Sequence, residues 1–213
     1  MSIEKAYDSW SEQYDTNLNK TRDLDQKATI QTLDKYPFKD VLELGCGTGK
    51  NTLWLASKAQ SLSGLDFSDK MLAIAKQKIL QSNVTFKRAD ITKKWDIKNQ
   101  SVDLVTCSLT LEHIDDLNHI FSQAHQKLIH GGLFFISELH PIKQYTGSKA
   151  RYQTPSGVKE LEVFTHHVSD YLKSANLAKF ELVQLTEWFD DPSKKEIPRL
   201  ISFVFKKSST PQV

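Results

Sequence analysis

Cysteine is scarce in this 213-residue chain: Cys46 and Cys107 are the two, and they form no disulfide framework. Neither sign of charge is in excess, with 28 Lys and Arg against 26 Asp and Glu and a formal net charge of +2. A nucleic-acid surface needs a basic stripe, whereas here acids and bases are interspersed, so no nucleic-acid partner is expected. No apolar run approaches the roughly 18 residues of a spanning helix, so no membrane partner is expected. A charged start followed by an apolar leader is missing too. Internal repeats, low-complexity segments and a metal-ligand pattern are also missing. The length suits one sizeable core, and the expectation is a single-domain, soluble, cytoplasmic protein.

Glycine is sparse as well, eight residues in all, yet three of them stand at 45, 47 and 49. They follow Val41-Leu42-Glu43-Leu44, which reads as a buried parallel strand, and they precede a helix expected from Asn51 to Lys58. Glycines there let the chain turn tightly and bring bare backbone against a ligand. At the end of a second apolar run, Leu62 to Leu65, Asp66 is placed to accept hydrogen bonds from a ribose diol. A dinucleotide fingerprint has glycines at the first, third and sixth positions. Here they fall at the first, third and fifth, and the sixth residue is Lys50.

Strands and helices then alternate. Strands are expected at Asp40–Leu44, Leu62–Leu65, Val84–Lys87, Val102–Cys107 and Leu133–Ser137, and helices at Lys70–Leu80 and Leu117–Leu128. Such alternation predicts a parallel sheet covered by helices. Ahead of it, Ile3, Tyr7, Trp10, Tyr14 and Leu18 have helical spacing, and a second helix is expected over Asp25–Lys35, stopped by Pro37. His140 to Thr165 breaks the rhythm with Pro141, Gly147, Pro155 and Gly157 and reads as an insertion with a short hairpin. A helix from Val168 to Leu177 and strands from Lys179 to Trp188 and Leu200 to Lys206 follow. The resulting division is an N-terminal helical lid (1–37), a cofactor-binding core (38–139), an insertion (140–165), a C-terminal helix and strands (166–207) and a disordered tail (208–213).

The segment from Val41 to Gly49 resembles motif I of the class I S-adenosylmethionine-dependent methyltransferases, of the small-molecule, type 11/25-like kind. The resemblance covers roughly residues 38 to 140. It implies an α/β, Rossmann-like fold: a seven-stranded, mostly parallel sheet with helices on both faces and an antiparallel last strand. It places Glu43 near the amino-acid end of the cofactor, with Gly45, Cys46, Gly47 and Gly49 forming the loop and Asp66 on the ribose. Asp66-Phe67-Ser68 with Met71 resembles the family's second segment, in which apolar side chains pack on the adenine, although Met71 is equally a helix-core residue. Ala89-Asp90-Ile91 resembles the segment whose acid accepts the adenine amino group, with Ile91 on the ring; an aspartate there also suits a turn cap. Ser108 follows the strand that floors the pocket. Ile129-His130-Gly131-Gly132 stands where relatives have Lys-Pro-Gly-Gly, so its glycines are expected to end a helix. Tyr7-Asp8 and Tyr14-Asp15 resemble a repeat whose aromatic ring closes over the cofactor, which adds Tyr14 to the cofactor contacts.

The implied reaction moves a methyl group from S-adenosylmethionine to an O or N nucleophile of a small metabolite, leaving S-adenosylhomocysteine. An acceptor hydroxyl must lose its proton, and histidine titrates near the operating pH. His113, also beside the cofactor, His140 and His167 are the candidate bases. Trp10, Arg22, Glu138, Tyr145 and Arg151 are the candidate acceptor contacts; for Trp10 a place in the helix core is the favoured reading. Rival functions are methylation of a carrier-bound acid, for which the basic insertion would dock the partner, and a non-catalytic domain that binds the cofactor. Nothing in the sequence sets the oligomeric state.

Overall fold

In the computed structural model, residues 8, 11, 19–148, 151–154, 157–160, 163–191 and 193–208 are described; within 151–160 only Gly157 and Glu160 are described beyond the backbone. Seven strands form one sheet in the order β3-β2-β1-β4-β5-β9-β8. They are β1 (Asp40–Leu44), β2 (Ser61–Asp66), β3 (Val84–Arg88), β4 (Val102–Ser108), β5 (Leu128–Leu139), β8 (Phe180–Trp188) and β9 (Leu200–Lys207). The first five pair in parallel, and β9 is antiparallel to both neighbours. This is the expected Rossmann-like arrangement. A separate antiparallel hairpin, β6 (Arg151–Thr154) with β7 (Gly157–Glu160), lies where the insertion was read.

Central strands of a parallel sheet are covered on both faces, so their side chains alternate between two apolar layers. Val41, Leu104, Phe135 and Val204 point to one layer with Leu33, Leu55 and Leu62. Leu42, Leu44, Val105, Cys107, Phe134, Ile136, Phe203 and Phe205 point to the other, with Phe121, Tyr171 and Phe180. Helix α1 (Lys20–Leu33) and α2 (Thr52–Lys58) supply residues to the first layer. Helices α4 (Leu117–Lys127) and α6 (Val168–Leu177) supply the second. Between them in sequence are α3 (Asp69–Lys78) and the short α5 (Pro141–Tyr145).

Two expectations are corrected. α1 begins five residues before the expected Asp25, because the Asn19 side chain accepts hydrogen bonds from the Thr21 and Arg22 amides at 3.0 and 3.1 Å and so caps the first turn. The glycines of Ile129–Gly132 do not terminate a helix. They lie inside β5, where Val102 pairs with Leu128 and Leu104 with Leu133. Four residues of β5 thus sit opposite one of β4, an irregularity that Gly131 accommodates at φ +75. The tail beyond Ser208 and the segment of Ile3, Tyr7, Trp10, Tyr14 and Leu18 lie outside the described residues.

Candidate functional site

The carboxyl ends of β1 and β4 open into one cleft, because a β1-to-α2 turn built on glycine cannot cover the sheet edge. Gly45, Gly47 and Gly49 all have positive φ, +65, +53 and +83, the region L side chains avoid. At Gly45 a Cβ would stand 2.2 Å from Thr110 Oγ1, so the β4 turn packs directly on the glycine backbone. At Gly47 it would meet nothing within 4 Å among the described residues. The close approach is therefore internal at Gly45 and open to the cleft at Gly47.

Three carboxyl groups face this loop. Asp66 is buried; its Oδ2 accepts from the Gly47 amide at 2.8 Å and its Oδ1 from the Ser68 amide at 2.9 Å. A carboxylate offers about four acceptor directions, so two amides fix its orientation and leave others for a ligand. Burial raises its pKa, and the backbone amides of Ser68, Gly47 and Phe67 pull the other way. Glu43 is buried with Thr52 Oγ1 donating at 2.5 Å. Burial lifts its pKa to about 8, with the charges of Asp25 and Asp66 adding to the rise. Asp25 comes from α1 on the far wall. Its Oδ2 accepts from Asn51 Nδ2 at 2.9 Å, and burial raises it to about 6. The remaining walls include Arg22, Thr29, Cys46, Lys50, Thr106, Ser108 and Leu109.

The β4 turn is held from β5. Glu138, 1% exposed, accepts from the amides of Thr110 and Leu111 with Oε1, both at 2.9 Å, which supports Leu109 at φ +49. Burial raises Glu138 well above the usual carboxyl range, the nearby Glu112 and Asp25 adding to it. Immediately after the turn, Glu112 is largely buried, which lifts it to about 7, and its Oε1 lies 3.8 Å from His113 Nε2.

The expected site residues divide into groups. Glu43, Gly45, Cys46, Gly47 and Ser108 line the cleft, and Asp66 is fastened to its loop. Phe67 is half-buried beside it, while Met71 and Ile91 are buried at the start of α3 and after β3. Asp90 is exposed, and its Oδ1 accepts from the Thr92 amide and hydroxyl, so it caps a turn. Arg22, read as an acceptor contact, lines the glycine-loop cleft instead. Glu138 supports the β4 turn from the interior. His140 caps α5 through Nδ1 and meets Glu187 Oε1 with Nε2 at 3.2 Å, and burial lowers its pKa. His167 is exposed at the start of α6, bonded to the Tyr145 hydroxyl. Tyr14, Trp10 and the Arg151 side chain lie outside the described residues.

Sequence reading passed over Asp25, Thr29, Asn51 and Thr106. A signal for the first two existed: Arg22, Asp25, Thr29 and Thr32 recur at spacings of three and four and are all buried. A polar stripe with helical period on a covered face marks a wall that meets something other than hydrocarbon.

Comparison with known proteins finds a match to the family described as "Methyltransferase domain" over residues 42–136. The ubiquinone biosynthesis O-methyltransferase of Nitrosomonas europaea is 31% identical over 145 residues, 66% of this chain and 60% of that protein. The chain therefore spans less than two thirds of that relative's length. Phosphoethanolamine N-methyltransferase 1 of Haemonchus contortus, solved with phosphoethanolamine and S-adenosylhomocysteine, superposes with a TM-score of 0.77 at 21% identity, over 98% of this chain and 48% of that one. An S-adenosylmethionine dependent methyltransferase of Mesorhizobium loti gives 0.72 at 22% identity, over 86% and 97%.

Proposed function

We propose that this chain is a class I S-adenosylmethionine-dependent methyltransferase that transfers the cofactor's methyl group to an oxygen or nitrogen of a small molecule, a reading that the methyltransferase-domain match over residues 42–136 supports. The observation that carries the reading is the pairing of Gly47 with Asp66. The Gly47 amide orients the Asp66 carboxylate, and the space above Gly47 is free of any described residue. A ribose fits that arrangement, its two hydroxyls donating to the acceptor directions the backbone leaves open. The cofactor, when bound, supplies an electrophilic methyl group on a sulfonium centre.

The chain's contribution is to hold and orient. The glycine loop and Asp66 fix the nucleoside, and the β4 turn, locked by Glu138, fixes the floor. Orientation of two reactants can account for about 7 kcal/mol or more of barrier reduction. For an acceptor hydroxyl, Glu112 and His113 are the proposed proton-handling pair. They follow cleft-lining Leu109 by three and four residues, and burial keeps Glu112 poised near neutrality. His140 and His167 already serve as helix caps. The relatives named for O- and N-methylation support a small acceptor. No helix among the described residues is long and apolar enough to cross a membrane.

Calorimetric titration with S-adenosylmethionine tests the first step, with saturable binding expected and roughly 10- to 100-fold weaker binding by Asp66→Ala. A folded sample that binds nothing overturns the proposal. Incubation with methyl-labelled cofactor and fractionated extract is expected to label a small molecule; label confined to protein or nucleic acid would overturn the acceptor class.

A further inference from the structure

We infer that Asp25, on helix α1, is the acceptor for the α-ammonium group at the amino-acid end of the cofactor, an inference that rests on the cofactor reading above. Along the sheet edge the order is β3, β2, β1, β4. Asp90 follows β3 and Asp66 ends β2. A nucleoside held at Asp66 with its base toward β3 must extend its remaining chain over β1 and β4. The cleft there is lined by Asp25 and Glu43 together with Arg22 and Lys50, a set of both signs that suits a zwitterionic amino acid.

Asp25 stands out within this set. It is 4% exposed, and its Oδ1 is buried with no hydrogen-bond partner among the described residues. The hydroxyls of Ser108 and Ser137 are near enough to favour its charged form, yet neither completes a hydrogen bond to that oxygen. A buried, unsatisfied carboxylate oxygen is costly in a folded protein. An ammonium donor in the cleft supplies what is lacking and also relieves the repulsion among Asp25, Glu43 and Asp66. Asn51 Nδ2 holds the other oxygen at 2.9 Å, and Gln26 Nε2 donates to the Lys50 carbonyl at 3.0 Å. Helix α1 is thereby fastened to the loop that binds the nucleoside, and the carboxylate is fixed before any ligand arrives.

Titration of wild type, Asp25→Asn and Asn51→Ala with three ligands tests the assignment. S-Adenosylhomocysteine keeps the amino acid and lacks the sulfonium, methylthioadenosine lacks the amino acid, and S-adenosylmethionine carries both. Asp25→Asn is expected to weaken S-adenosylhomocysteine and S-adenosylmethionine alike by about 10-fold or more, leave methylthioadenosine within twofold, and not lower the melting temperature of the ligand-free protein. Asn51→Ala keeps the carboxylate and loses its orienting amide, so the same selectivity should appear to a lesser degree; this variant decides if the first does not fold. Equal loss for all three ligands, loss for S-adenosylmethionine only, or no loss overturns the assignment to Asp25 and leaves the cofactor reading intact. Wild type that binds none of the three overturns both.

Discussion

The two ends of the sheet solve opposite problems. Around β5, β8 and β9 the interior is aromatic: Phe203 and Phe205 stack at 5.5 Å, Tyr171 stacks on Phe203 at 5.0 Å, and Phe121 meets Phe134 and Phe205 edge-on at 5.2 and 5.4 Å. Around the carboxyl ends of β1, β4 and β5 the interior is polar, and Asp25, Thr29, Asn51, Thr106, Ser137 and Glu138 each keep a buried oxygen without a hydrogen bond among the described residues. One end gains stability from burial of ring surface. The other gives up stability to keep acceptors in place for a ligand, and the first end compensates the second.

Truncating an aromatic should have the largest effect and should fall on stability alone. Phe203→Ala is expected to cost about 3–5 kcal/mol, which lowers the melting temperature by roughly 10 °C, while cofactor affinity of the folded fraction stays unchanged. Thermal melts with and without S-adenosylhomocysteine check this. A large loss of affinity in the folded protein would mean that the two ends are not separable.

The glycine pair sharpens the comparison within the polar end. Gly45→Ala should lose about 2–3 kcal/mol of stability, combining left-handed strain with the collision on Thr110, whose hydroxyl is tied to the Ser108 carbonyl at 2.9 Å. Gly47→Ala should lose only about 1 kcal/mol, since its methyl meets no atom of the described residues. It should nonetheless weaken S-adenosylhomocysteine binding by at least ~10-fold, because that space belongs to the ligand. Melts and calorimetry on both variants separate the two costs.

The smallest expected effect is a pH dependence opposite to that of a salt-bridged protein. Asp25, Glu112 and Glu43 are raised by burial to about 6, 7 and 8. Each holds its proton more tightly folded than unfolded, so between about pH 4 and pH 8 the native state carries the more protons and stability falls as pH rises. Ligand-free protein should therefore melt higher at pH 5 than at pH 8. Glu43→Gln should recover about 1–2 kcal/mol of stability at pH 8. No difference between the two pH values would show that these carboxyls are hydrated in solution.

The geometry of the glycine turn was legible in the sequence because its causes are local. The turn at Gly45, Gly47 and Gly49 follows its strand directly, and Asp66 ends the next one. The parallel sheet covered by helices follows from the alternation, since a parallel strand needs a crossover and its helix. The boundaries that were missed had local causes of a subtler kind. Asn19 capped a helix earlier than the apolar pattern suggested, and Gly131 served a strand irregularity instead of a helix end. Glu138 and Arg22 were found as residues, but the β4 turn that Glu138 holds and the cleft that Arg22 lines were not, because nothing near them in sequence states what packs against them.

The sequence by itself determined the alternating strands and helices of a parallel sheet and the glycine turn after its first strand, because hydrophobic period and backbone permissiveness act within a few residues. Only the tertiary structure decided the other wall of the cleft. Asp25 meets Asn51 across 26 positions, and Glu138 meets Thr110 across 28. The meaning of a carboxylate in such a place lies in its burial and its unfilled hydrogen bonds, which arise only when distant segments close around it.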